Sequence, residues 1–175
     1  LISQAKERGL PITASTPWTH VLYCDQILGD YDPMLRLDPP LGTQVDQAAL
    51  QEGLKSGVLD AIAVDHRAYT YEEKTVPFAQ APPGCPGYAI ALALLWQGLV
   101  QEQQWSPLTL WQKLSPGPCD CLQQASPSLT PNSPAEMVLF NPNDNATTAR
   151  WSPAVVSGIV RGLWGSTGYH IYHKV

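Results

Sequence analysis

The segment AIAVDHRAY, from Ala61 to Tyr69, holds the residues of this chain best placed to do chemistry. A mostly apolar run, Leu59 to Val64, leads directly into Asp65 and His66. A strand buried on both faces of a parallel sheet reads this way, nearly continuous in apolar side chains. A carboxylate at the carboxyl end of such a strand stands where catalytic and metal-binding groups collect. Left unpaired in a dry site it is costly, and a metal ion or a proton-transfer role would account for it. Capping of a following helical turn accounts for it as well, since Asp is a favoured N-cap. His66 is expected on the opposite face from Asp65, because adjacent strand residues alternate, and so as a structural hydrogen-bonding histidine.

Other chemistry-bearing residues point less clearly. Cys24, Cys85, Cys119 and Cys121 are too few for a disulfide scaffold of this size. Cys119-Asp120-Cys121 has neither the spacing nor the second pair that a zinc ribbon needs. Free thiols in a reducing compartment are the expectation, hence a cytoplasmic location. Asn145-Ala146-Thr147 is a glycosylation sequon with nothing else to suggest secretion. His170 and His173 would face opposite ways in an extended tail, which argues against a metal pair. Glu72-Glu73-Lys74 reads as a solvated charge cluster, and Trp96, Trp105 and Trp111 as core or rim packing.

The elements that must position Asp65 follow from local patterning. Leu1 to Gly9 reads as part of an amphipathic helix with Leu1, Ile2 and Ala5 on one face, stopped by Gly9. Pro11 to Thr16 is a short β-prone run. Asp46 to Ser56 reads as a second helix with Val45, Ala48, Ala49 and Leu54 on its apolar side, closed by Gly57. Each helix thus leads through a glycine into a strand, the αβ step of a parallel sheet. The two strands, Ile12–Ser15 and Ala61–Val64, are predicted to lie side by side and parallel. Gly84 to Gly87 is a turn, Tyr88 to Gln104 a long helix, and Pro107 to Leu114 a shorter one. Ser115 to Pro134 reads as a Pro- and Ser-rich surface loop, and Met137–Phe140 as a strand.

The chain's 175 residues suffice for about one domain. Charged residues make up only 14%, so much of the chain should be loop held by Gln, Ser, Thr, Asn and 17 prolines. A net charge of −5 without a basic run speaks against nucleic acid or an anionic membrane as partner. The longest apolar stretch, Tyr88 to Trp96, is too short to span a bilayer. Two parallel strands cannot close a barrel or make a stable sheet. The expectation is therefore the carboxyl-terminal part of a larger α/β protein, completed by a missing amino-terminal part or another protein chain.

The stretch AIAVDHRAYTYEEKTVPFAQAPPGCPG resembles the segment of dihydroorotases that runs from the last barrel strand into the substrate loop, close to ATDHAPHTxEEKxxPFxxAPxGxPG. AKERGLPITAS is similar to the family's AKxRGLPVTAE, and YDPMLRLDPPLG to its YDxNxKxNPPLR. VLFNP and the Gly-rich tail resemble its small carboxyl-terminal domain. STPWTH and DPPLG resemble the divergent dihydroorotase-like proteins of cyanobacteria.

What the resemblance implies is a metal-dependent cyclic amidohydrolase built on an α/β (β/α)8 TIM barrel. Residues 1–135 would supply its last two βα units and following helices, and 136–175 part of a small β domain. Zinc would activate a water for attack on the ring amide carbon, and an aspartate would carry the proton to the leaving nitrogen. That aspartate maps onto Asp65, as metal ligand and acid/base. The family's substrate-contacting His falls at Tyr69, its substrate-binding Asn at Asp38, and the Arg of NPPLR at Gly42. The substrate-loop positions fall on Pro83 and Gly84. His20 lies where the family has a His pair. Asp38 would set a like charge against anionic dihydroorotate, and Tyr69 can donate one hydrogen bond but shuttle no proton near neutral pH. The family's remaining metal ligands lie upstream of residue 1.

Three readings follow. The first is a zinc hydrolase of a cyclic amide, dihydroorotate in pyrimidine biosynthesis. The second is a non-catalytic dihydroorotase-like structural or interaction subunit. The third is a binding module for an unrelated small ligand.

Overall fold

A computed structural model describes residues 1–88 and 90–131, together with Pro142. The strand expected at Met137–Phe140, the small β domain of 136–175, the sequon at Asn145, and His170 and His173 lie outside those residues, Pro142 apart.

Two short strands form the centre. β1 (Ser15–Pro17) and β2 (Ala61–Ala63) pair in parallel, with Ser15 opposite Ala61 and Pro17 opposite Ala63. The parallel pairing is the one predicted; the first strand begins three residues later than read. Helix α1 (Ile2–Glu7) precedes β1 and α3 (Gln44–Lys55) precedes β2. A capping box starts α3: the Thr43 hydroxyl accepts from the Asp46 N–H, and the Asp46 carboxylate accepts from the Thr43 N–H at 2.8 Å. The helix thus begins two residues before the predicted Asp46. Gly57 ends it at φ +80°, a conformation that disfavours any side chain.

Two apolar faces behave differently from their patterning. Leu1 and Ile2 on α1 are exposed, and so is Val45 on α3; Leu54 alone of α3 is fully buried. The core gathers instead around α2 (Trp18–Leu22) and the second strand. Trp18 and Val21 of α2 pack with Leu54, Leu59, Ile62, Leu95, Leu99, Trp105 and Leu110. A fully buried side chain of this size stabilises by about 1.5–3 kcal/mol, so this cluster holds the strand pair in place.

The helix predicted over Tyr88 to Gln104 starts later and changes pitch. It runs as α5 (Ala91–Leu95) and continues as a π-helix from Trp96 to Glu102. Tyr88 is instead held outside it, its N–H and ring both engaged by His66. Helix α6 (Pro107–Leu114) is as predicted. The loop expected from Ser115 carries a helix instead, α7 (Pro116–Cys121). Pro116 sits at its first position, where the missing N–H and fixed φ favour helix. Its Gly117 lies against the carbonyl of Asp60, so α7 closes the amino-terminal end of β2.

Candidate active site

Asp65 stands two residues beyond β2, at the carboxyl end of the strand pair. Its φ of +41° turns the chain away from the strand line. Asp and Asn tolerate this left-handed conformation better than most residues. Asp65 does not cap a helix. The following α4 (Tyr71–Lys74) is capped by Thr70, whose hydroxyl accepts from the Glu73 N–H while the Glu73 carboxylate accepts from the Thr70 N–H. The Asp65 side chain is 41% exposed, and its charged neighbour is Arg67, with Nε 3.4 Å from Oδ1.

The structure brings Asp65, Asp38 and Gly84 into one narrow cleft, with His20, Cys85 and Trp18 among its walls. Its enclosed space is about 10 Å³, room for roughly one water. The buried indole N–H of Trp18 has no partner among the described residues. Asp38 is exposed at the mouth. Gly84 is buried at φ +129° and donates its N–H to the carbonyl of Arg36. A Cβ there would lie 2.5 Å from the Cβ of Arg67, so nothing but glycine fits.

Tyr69 and Pro83 do not line this cleft. They bond to each other, the Tyr69 hydroxyl donating to the Pro83 carbonyl at 3.2 Å. The phenol is thereby committed to holding the loop.

The histidines are committed in the same way. His66 accepts at Nδ1 from the Gly87 N–H at 2.9 Å and stacks on Tyr88 with ring centres 4.2 Å apart. His20 is buried; its Nε2 faces the carbonyls of Pro39 and Pro40 at 3.1 and 3.2 Å, which requires the proton there. Its Nδ1 lies 3.1 Å from the Thr19 hydroxyl. His20 thus clasps the Asp38-Pro39-Pro40 loop to α2. Both histidines are structural.

Lys74 overturns the reading of Glu72-Glu73-Lys74 as a solvated cluster. It is 4% exposed, and its Nζ donates to the carbonyls of Pro33 and Pro82 at 3.0 and 2.8 Å, under the ring of Tyr69. Burial draws its pKa below the usual lysine value. The T-x-x-E capping box was the available sequence signal: it fixes a turn that sets Lys74 inward. Burial pushes the Cys85 thiol up to about 11, with Lys74 opposing and Asp65 adding. Burial thus disfavours the thiolate.

Among the described residues no three His, Cys, Asp or Glu side chains form a metal-holding group. With both histidines engaged, the cleft's solvent-facing donors are the carboxylates of Asp65 and Asp38. A zinc centre takes three or four protein ligands, so these residues fit zinc as one part of such a centre and not as a whole one.

No family model matches the chain. It is 47% identical over 158 residues to a probable dihydroorotase-like protein of Synechocystis sp., covering 86% of this chain and 34% of that protein. A dihydroorotase-like protein of Pseudomonas aeruginosa is 35% identical over 142 residues, 81% of this chain and 33% of its own. A dihydroorotase of Thermus aquaticus is 34% identical over 160 residues, 87% and 38%. Among solved structures, a D-hydantoinase (dihydropyrimidinase) from Thermus sp. superposes with a TM-score of 0.71 at 22% identity, over 94% of this chain and 37% of that one. A dihydropyrimidinase from Brevibacillus agri gives 0.70 at 22% identity, over 84% and 34%. At that identity the likeness speaks for the fold alone. The chain spans about a third of the length of the curated relatives it matches, and over that third it is related in sequence to dihydroorotases and dihydroorotase-like proteins.

Proposed function

We propose that the chain is the carboxyl-terminal part of a zinc-dependent, dihydroorotase-like hydrolase of a cyclic amide, with Asp65 its contribution to the metal and proton chemistry. The carrying observation is the position of Asp65: a solvent-facing carboxylate beyond a parallel strand, in a cleft whose other polar groups are mostly engaged. Residues 1–135 belong in this reading to a (β/α)8 barrel and 136–175 to a small β domain. The parallel strand pair and the hydantoinase-like fold support the first part. Cys24, Cys85, Cys119 and Cys121 are unpaired, which supports a reducing, cytoplasmic setting. No helix among the described residues is long and apolar enough to cross a membrane.

Zinc, when bound, supplies Lewis-acid polarisation of the ring amide and a water activated near neutral pH. Asp65 would be one of the residues that hold it, and its carboxylate would take a proton from the attacking water and pass it to the ring nitrogen as the amide C–N bond breaks. Gly84 keeps the wall beside Asp65 at backbone thickness. Asp38 sets a negative charge at the mouth, where an anionic substrate such as dihydroorotate would enter, which disfavours its binding.

The test is Asp65→Asn in the full-length, zinc-loaded protein. Asn keeps the side-chain shape and tolerates the same left-handed φ. Turnover of dihydroorotate or a neutral cyclic amide is expected to fall at least about a hundredfold with little change in melting temperature. A second reading, a dihydroorotase-like protein without catalysis, is favoured by the committed Tyr69 hydroxyl and the charge on Asp38. Zinc-loaded wild-type protein that turns over neither substrate would establish it.

A further inference from the structure

We propose that Arg67 is a tethered counter-cation of Asp65, holding the affinity of this site for a divalent metal below what its ligands alone would give. The inference builds on the reading of Asp65 as a metal ligand. Arg67 Nε lies 3.4 Å from Asp65 Oδ1. The Arg67 backbone is tied to the cleft wall: its N–H donates to the Cys85 carbonyl at 3.0 Å. Its Cβ and Cδ press on Gly84, where an added Cβ would meet them at 2.5 and 3.0 Å. With its backbone tied to the cleft wall and its Cβ and Cδ beside Gly84, Arg67 keeps its guanidinium within reach of Asp65. In the dihydroorotase string DHAPH the matching position is alanine, which brings no charge.

A guanidinium and a divalent cation want the same carboxylate oxygens. When the metal occupies them, the arginine must leave and its positive charge stays nearby. Arginine keeps that charge at every working pH, so the competition is permanent. Arg67 and Asp65 are 48% and 41% exposed, so water screens the pair and the result is tuning rather than exclusion.

The test is zinc affinity of the full-length protein, measured by competition with a chromophoric chelator. Arg67→Ala is expected to bind zinc about three- to tenfold more tightly than wild type, a gap that narrows at high salt. Arg67→Lys keeps the charge and is expected within about twofold of wild type. Zinc bound by Arg67→Ala no more tightly than by wild type overturns the proposal. So does an equal gain in Arg67→Lys, because charge would not be the cause. Asp65→Asn separates the two layers. If it binds zinc as tightly as wild type, Asp65 is not a ligand and the underlying reading falls too. If it binds weakly while Arg67→Ala is unchanged, only the counter-cation is refuted. A set in which no protein binds zinc overturns both.

Discussion

The two ends of β2 carry one aspartate each, and they are used in opposite ways. Asp60, just before the strand, meets Lys6 Nζ at 2.7 and 2.8 Å and accepts the Ala14 N–H at 2.8 Å. Nearby, Lys6 also donates to the Gly57 carbonyl, and the buried Lys113 to the Leu59 carbonyl. Asp65, just past the strand, has one loose, half-exposed arginine contact. Around Asp65, Lys74, Tyr69, His66 and His20 are spent on backbone partners, while Asp38 stays exposed. The contrast separates a carboxylate that staples helix, strand and loop from one held by a single loose, half-exposed ion pair. Parallel α/β folds divide their strand ends in this sense, stability at the amino end and chemistry at the carboxyl end.

The comparison breaks most visibly at Lys74, which belongs to the Asp65 end yet does purely structural work. Lys74→Met fills similar volume but leaves the Pro33 and Pro82 carbonyls unpaired. A loss of about 2–4 kcal/mol in full-length stability is expected by denaturant titration. An unchanged midpoint would mean the loops are held by something else. Asp60→Asn should cost less, about 1–3 kcal/mol, since Lys6 loses its charged partner while the amide can still accept from Ala14.

That difference should depend on pH. Burial raises the Asp60 pKa, but the Lys6 and Ala14 hydrogen bonds and the Lys6 and Lys113 charges outweigh it, so the folded value lies below the usual carboxylate range. A depressed folded pKa gives stability that is full above the unfolded value, near 4, and lost as pH falls through the folded one. The melting gap between wild type and Asp60→Asn should therefore stay constant above about pH 5 and close as pH falls through the lower folded value. The smallest effect expected is at Gly57, whose φ of +80° is unfavourable for a side chain but whose surroundings are open. Gly57→Ala should cost about 1 kcal/mol, read as a shift of a few degrees in melting temperature.

How much of this was legible before the coordinates depended on range. Asp65 was readable because an apolar run closing on an acid is a local signal, and so was its parallel partner strand. Apolar periodicity starts α3 two residues late, because the Thr43–Asp46 capping box, not the apolar face, sets its first turn. Lys74 could not be read as buried from periodicity, since one of its carbonyl partners is 41 residues away. The helical spacing of its neighbours predicts Tyr88 inside a helix. His66, which holds it outside, is 22 residues upstream. Helix α7 was hidden by prolines, which mark loops on average but suit a helix's first turn. The Asp65–Arg67 pair is local, but a strand reading points residues two apart to the same face and cannot say that they touch.

The most direct measurement is a paired comparison of Asp60→Asn and Asp65→Asn in the full-length protein, scoring melting temperature and zinc affinity on the same preparations. Asp60→Asn is expected to lower the melting temperature by several degrees and leave zinc affinity within about twofold. Asp65→Asn is expected to keep the zinc-free melting temperature and weaken zinc binding at least about tenfold. The reverse pattern, or Asp65→Asn binding zinc as wild type does, would contradict the division between the two ends of the strand.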